Sequence, residues 1–103
     1  MKLLKIIPIQ LDDMTFHIKM TNRAMMEFEE MSGGNMASLK GTSDLLMLFY
    51  CTSKAGAKSK GIPFDITFQQ FVDVTDDYYS ELITKFSEAL GKLGGGEKKQ
   101  VAK

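Results

Sequence analysis

The single histidine, His17, and the single cysteine, Cys51, are the residues of this sequence with the clearest potential for catalysis. A Ser-His-Asp or Cys-His centre would have to use His17, because the chain has no second histidine. His17 lies on a predicted strand, and Cys51 lies in the most apolar stretch, where a thiol behaves as a small hydrophobe. We therefore interpret His17 as a partly exposed strand residue and Cys51 as a core residue, and we expect no catalytic residue.

Other candidate motifs lack the spacing that their chemistry requires. The sequence "GAKS", from Gly56 to Ser59, resembles the end of a phosphate-binding loop, but such a loop needs glycine where Ala57 and Thr52 stand and a strand before it. The three acidic pairs are adjacent in sequence, and neighbours on a helix do not converge on one substrate. A calcium loop or a cysteine zinc cage is also missing its ligands. The sequence thus predicts no enzyme, no metal and no cofactor.

Methionine is the compositional oddity, with eight residues in a chain of 103. Its unbranched, polarizable side chain adapts to several partner shapes, so helix-binding grooves use it. Ordinary core filling is the alternative, and we favour it for Met20, Met31 and Met47. Met25 and Met26 cannot both point inward from one helical turn, so one of them is expected in an exposed apolar patch.

Charge is balanced in sum and uneven in distribution. Thirteen basic residues match thirteen acidic ones, which leaves no basic field for nucleic acid. Residues 65–90 contain six acidic residues and one lysine, whereas residues 91–103 contain four lysines and one glutamate. An acidic amphipathic helix beside a basic tail suits reversible association with a partner protein, and a solvated helix face explains it equally well.

The apolar segments are too short to suggest a membrane protein. The N-terminal run is interrupted by Lys5 and Pro8 and has no small residues at a cleavage site, so we predict no signal peptide. The longest apolar run, from Leu45 to Cys51, has seven residues, far short of the roughly 20 that cross a bilayer. We expect a soluble, intracellular protein.

The first predicted element is a β-hairpin. Residues 3–9 and 14–20 read as two short strands, and the intervening "QLDD" supplies a turn. The second strand alternates apolar and polar side chains, which gives it one apolar face. Pro8 cannot donate to a strand ladder, so the first strand is expected at an edge.

The next predicted element is a short helix at about residues 22–32. Thr21 or Asn22 can cap it by accepting from free backbone amides, and Gly33 offers the left-handed conformation that ends it. Met26 is expected to point away from the core. The spacing predicts that the core-facing residues are Ala24, Phe28 and Met31, with Met25 alongside.

Further helices are predicted from their start signals and from their apolar spacing. A central helix begins at Thr42 or Ser43 and extends to about residue 57. Thr67 and Gln70 form a capping box at the start of a third helix. Thr75 repeats the start signal for a fourth helix that continues to about residue 93.

These patterns together predict an α+β fold that is mostly α-helical, with a short N-terminal β-hairpin followed by three to four helices. Residues 1–93 are expected to form one small domain. Residues 94–103 contain three glycines and little apolar surface to bury, so they are expected to form a flexible tail.

Three stretches of sequence carry a family resemblance. They are "FHIKMTNRAMMEFEEMSGG", which combines a strand, a polar cap, a Glu-rich helix and a glycine stop; the apolar helix ending in "LFYCTSKAGAKSKG"; and "ITFQQFVDVTDD" before the last helix. Their order resembles that of the tail assembly chaperones of long-tailed bacteriophages and prophages, over about residues 10–91.

The resemblance implies a non-enzymatic protein of the bacterial host cytoplasm. Such chaperones coat the hydrophobic tape measure protein and recruit tail tube subunits; nucleic acid and membrane are not among the expected partners. A homo-oligomer would enlarge the surface that one short helix offers. On amphipathicity alone, the candidates for partner contact are Met25, Met26, Phe28, Tyr78 and Tyr79.

Three alternatives remain open at this point. The protein could be a structural tail component, such as a tube-like or connector subunit, or a small helical interaction module unrelated to phage. A small enzyme would need a deep pocket near His17 with a second titratable group.

Overall fold

The computed structural model of the protein describes residues 5–34 and 41–92. The described elements are the strands β1 (Ile6–Leu11) and β2 (Met14–Lys19), and the helices α1 (Asn22–Ser32), α2 (Gly41–Lys60), α3 (Phe68–Thr75) and α4 (Tyr79–Leu90), with a 3₁₀ turn at Asp76–Tyr78. This order confirms the predicted α+β, mostly helical fold with an N-terminal hairpin. The predicted flexible tail, residues 94–103, lies outside the described residues.

The hairpin places its buried apolar side chains on one face. β1 and β2 are antiparallel, with Ile9 opposite Phe16 and Leu11 opposite Met14. The two-residue turn between them requires a positive φ, which Asp12 adopts at 59°. The buried residues of this face are Ile9, Leu11, Phe16 and Ile18.

Local capping chemistry fixes α1. The Thr21 hydroxyl accepts a hydrogen bond from the Ala24 amide at 3.0 Å, and Gly33, with φ at 75°, donates its own amide to the Glu29 carbonyl. The observed bounds confirm the prediction of residues 22–32. Met26 points away from the core as predicted, whereas Met31, predicted to face the core, is partly exposed.

The long helix α2 is the centre of the packing. It contacts β2, α1 and α3, while α4 packs against β1. It continues to Lys60, three residues beyond its predicted end, and Gly61 with φ at 71° follows it. Because α2 touches elements on several sides, its apolar residues surround the helix, and the buried ones are Leu46, Leu48, Phe49, Cys51 and Ala57.

An aromatic cluster joins the hairpin to three helices. The Phe49 ring lies 5.3 Å from the Phe16 ring, 5.2 Å from Phe71 and 4.9 Å from Phe86, measured between ring centroids. The first two pairs are edge-to-face, an arrangement that matches the ring quadrupoles. Through these three contacts, the Phe49 side chain of α2 packs against β2, α3 and α4.

The start of the fourth helix differs from its prediction. Thr67 and Gln70 do form the capping box at the start of α3. Thr75, however, is buried, and its hydroxyl donates to the Phe71 carbonyl at 2.8 Å instead of capping a new helix. Thr75 occupies the N-cap position of a 3₁₀ turn at Asp76–Tyr78, but its side chain makes no capping bond there. The prediction that Thr75 caps the fourth helix is wrong, because α4 begins only at Tyr79.

Candidate functional site

The residues predicted to contact a partner on α1 differ in exposure. Met26 is 61 % exposed and Met25 is half-buried, so Met26 is the one that contributes to the apolar surface. Phe28 is 0 % exposed and belongs to the core. The selection of Phe28 as a partner contact is therefore wrong for this conformation, because its ring lies on the face of α1 that packs against α2.

Tyr78 and Tyr79 lie at the junction of α3 and α4, whereas the other candidates for partner contact lie on α1. The Tyr78 hydroxyl donates to Asp12 Oδ2 at 3.1 Å; this hydrogen bond and the neighbouring carboxylates raise the pKa of Tyr78. The hydroxyls of Tyr79 and Thr42 lie 2.9 Å apart. Both tyrosines thus tie the junction to the rest of the fold, and Tyr79 still remains 36 % exposed.

An open groove with a partly apolar lining lies beside Tyr79, where α2, α3 and α4 meet. Its volume is about 370 Å³, and it is lined by Thr42, Leu46, Val72, Thr75, Asp76 and Tyr79. Val74, which precedes the lining residue Thr75 in α3 and does not itself line the groove, is 44 % exposed. We call this the junction groove. It combines exposed apolar side chains with adjacent carboxylates, which suits a partner that offers apolar and basic residues together.

The junction groove includes only one of the residues selected from the sequence, Tyr79. Leu46 and Val72, which line the groove, were not selected from the sequence, and neither was the exposed Val74. The helical spacing of α3 carries a signal for Val74, because Phe71 and Thr75 define the buried face and Val74 falls outside it. No local signal in the sequence indicates that the amino-terminal end of α2 packs beside α3.

A smaller cavity lies near His17, where the enzyme alternative requires one. Its volume is about 210 Å³; Asp65 supplies a second titratable group, and Ser53 also lines it. Ser53 Oγ, however, has no hydrogen-bond partner among the described residues, so it is not bonded to the imidazole. A nucleophile needs a base within hydrogen-bond reach, and this arrangement does not supply that pair.

Removing the Ser53 hydroxyl should stabilise the protein. The side chain is 1 % exposed and its oxygen is unpaired, so Ser53→Ala removes a desolvation cost and should raise the free energy of unfolding by about 1 kcal/mol. Urea denaturation measures the change. Ser87→Ala, at an exposed position of α4, is the control for helix propensity. A Ser53→Ala variant less stable than the parent protein would contradict this interpretation of the cavity.

Cys51 is a core residue, as predicted. Burial, assisted by the carboxylate of Glu27, raises the pKa of the Cys51 thiol to about 11, while the Lys54 ammonium opposes the shift. A neutral thiol at physiological pH is a poor nucleophile. Its Sγ lies 3.6 Å from the sulfur of Met31, so the two side chains pack together between α1 and α2.

Within residues 5–34 and 41–92, no group of three or more His, Cys, Asp or Glu side chains is placed to hold a metal ion. None of the described helices is long and apolar enough to cross a bilayer.

In comparisons with known proteins, no family model, curated protein or solved structure matches the chain.

Proposed function

We propose that this protein is a non-enzymatic tail assembly chaperone of a long-tailed phage or prophage, which binds the tape measure protein in the host cytoplasm. The order of elements that resembles this family supports the assignment. The observation that carries the binding mechanism is the junction groove, with Tyr79 exposed in its lining and Val74 exposed one residue before Thr75 on α3. Recruitment of tail tube subunits is a second proposed interaction of the same protein.

The junction groove favours an amphipathic helix as the bound segment. Val72 and Leu46 offer apolar contact, while Asp76 and the nearby Asp73 and Asp77 offer charge to lysine or arginine on the partner. A short groove of this kind binds few side chains at a time. Several copies of the chaperone would therefore be needed to cover a long apolar partner.

Co-expression with the tape measure protein of the same phage or prophage tests the proposal. The parent protein should co-purify with it and keep it soluble. Val74→Glu with Tyr79→Ala should weaken binding about tenfold or more, a loss of about 1.4 kcal/mol, because contact residues at the groove are removed. Met26→Glu, on the outer face of α1, is the matched control and should change binding much less.

The outcomes separate the remaining candidates. A tape measure protein that neither associates with the parent chain nor gains solubility would overturn the chaperone proposal. A stronger effect of Met26→Glu than of the groove variant would move the contact to α1. If mature tails contain the protein in stoichiometric amounts, the structural tail component becomes the better explanation.

A further inference from the structure

The long helix α2 separates two ends of the molecule. β2 and α2 run in the same direction, because Phe16 contacts Phe49 and the Lys19 ammonium, further along β2, donates to Ser59 Oγ at 2.6 Å. The hairpin turn at Asp12 therefore lies towards the amino-terminal end of α2, where Thr42 meets Tyr79. Twenty helical residues span about 30 Å, so the two ends of α2 are far apart.

Exposed carboxylates gather at the end of the molecule that contains the hairpin turn. Tyr78 joins the turn to the α3–α4 junction through its hydrogen bond to Asp12. Asp13 and Asp77 also face this hydroxyl closely enough to act on it electrostatically. We define the acidic end as the exposed residues Asp12, Asp13, Asp73, Asp76 and Asp77.

A groove with cations at its rim lies at the other end of the molecule, between the start of α1 and the last turns of α2. Its volume is about 580 Å³, and it is lined by Thr21, Arg23, Ala24, Glu27, Lys54, Ala55, Lys58 and Ser59. Lys54 is partly neutralised by Glu27 at 3.7 Å. Arg23 and Lys58 are exposed and form no salt bridge within the described residues. We call this the basic groove.

We propose that the basic groove binds the acidic end of a second copy of this chain, in a head-to-tail contact. The net charge of the chain is zero, and each copy carries both an acidic and a basic surface, at opposite ends of α2. The alanines of the groove floor offer room for a small apolar side chain, and the acidic end presents exposed Val74 beside Asp73. The interaction is electrostatic in the main and therefore sensitive to salt.

A head-to-tail contact leaves one groove and one acidic end unused in every dimer. Further copies can therefore add, forming a ring if the rotation closes and an open filament if it does not. The contact does not require a tape measure protein, so it stands apart from the proposed function. Since Asp76 lines the junction groove as well, a partner helix bound there should compete with the next copy.

Charge reversal at each surface gives a direct test by sedimentation velocity. The acid-reversed variant is Asp73→Lys with Asp77→Lys, and the groove-reversed variant is Arg23→Glu with Lys58→Glu. The parent protein should associate in a concentration-dependent manner at about 20 mM salt and dissociate at about 0.5 M. Each variant alone should sediment as a monomer, because one of its two surfaces repels the other copy.

Mixing the two variants is the decisive measurement. The acid-reversed variant keeps a normal basic groove and the groove-reversed variant keeps a normal acidic end. The two reversed surfaces are also opposite in charge to each other, so an equimolar mixture should regain the association that each variant alone has lost. A parent protein that stays monomeric at low salt, or a mixture that fails to associate, would overturn the proposal. Circular dichroism of both variants serves as the control for folding. A single Lys58→Glu variant, changed only at an exposed position, provides a second and milder test.

The same variants distinguish this proposal from the proposed function. Arg23→Glu with Lys58→Glu leaves every residue of the junction groove unchanged and removes the competing copy, so this variant should bind the tape measure protein at least as tightly as the parent. Loss of self-association with normal partner binding would support the head-to-tail contact alone. Normal self-association without partner binding would leave this contact standing and remove the chaperone assignment.

Discussion

Replacing Gly56 with alanine should lower the free energy of unfolding by about 3 kcal/mol or more, enough to leave much of the protein unfolded. A Cβ atom at this position would collide with the carbonyl oxygen of His17, and it would lie 2.6 Å from the carbonyl carbon. Both atoms belong to the backbone of β2, so no side-chain rotation relieves the clash. α2 would have to move away from the strand that it packs against.

Gly91→Ala is the matched control, since both positions have helical backbone and the same substitution is made. No atom lies within 4 Å of a Cβ built at Gly91. Alanine there should be neutral or stabilise the protein by up to about 1 kcal/mol through its higher helix propensity. Urea denaturation of the two variants measures the difference. A Gly56→Ala protein as stable as its Gly91→Ala counterpart would mean that α2 does not approach β2 this closely.

The position of Gly56 also explains the "GAKS" sequence without a phosphate site. Pro8, which lacks an N–H, lies opposite His17 in the hairpin. Paired residues without mutual hydrogen bonds direct their backbone groups away from each other in an antiparallel ladder, which leaves the His17 carbonyl to face α2. Only glycine allows the helix to lie against that carbonyl. The glycine therefore serves helix–strand packing, and Lys58 belongs to the rim of the basic groove.

The sequence predicts the local features of this fold well because local chemistry determines them. Thr21 and Gly33 set the two ends of α1, and the Thr67–Gln70 capping box starts α3, each through bonds between residues a few positions apart. The hairpin follows from alternation and a short turn. None of these features depends on what packs against the element.

The wrong predictions concern residues whose environment is determined by tertiary contacts. Thr75 is a residue type that commonly caps helices. Here it is buried in the core, and its hydroxyl donates to a backbone carbonyl of α3 instead. Phe28 was selected for contact although its helical spacing also predicted a core-facing position, and the packing of α1 in the fold leaves it 0 % exposed. Met31 lies at the edge of the same face, where packing against Cys51 covers only part of the side chain.

The two grooves could not be predicted from the sequence for a related reason. The junction groove combines Thr42 with Tyr79, and the basic groove combines Arg23 with Lys58, so each joins residues from different helices. The sequence revealed an uneven distribution of charge along the chain. It did not reveal that Asp12 and Asp77 lie at one end of the folded molecule, because that depends on the direction of β2 relative to α2.

Phe49→Ala is expected to have the second large effect on stability, a loss of about 3–5 kcal/mol. The ring contacts Phe16, Phe71 and Phe86, so its removal leaves a cavity at the point where β2, α3 and α4 converge on α2. Phe68→Ala is the control: this ring is half-buried and contacts the ring of Tyr50 at 5.5 Å, and its loss should cost clearly less. Thermal and urea denaturation measure both changes.

This variant also tests how the junction groove is built. Phe49 and Phe71 join α2 to α3, and Phe49 and Phe86 join α2 to α4, so the walls of the groove are held in place by rings that do not line it. Phe49→Ala should therefore weaken partner binding together with stability, whereas Val74→Glu should weaken binding and leave stability nearly unchanged. Equal loss of stability in the two variants would show that Val74 is a packing residue and would contradict its proposed role in partner contact.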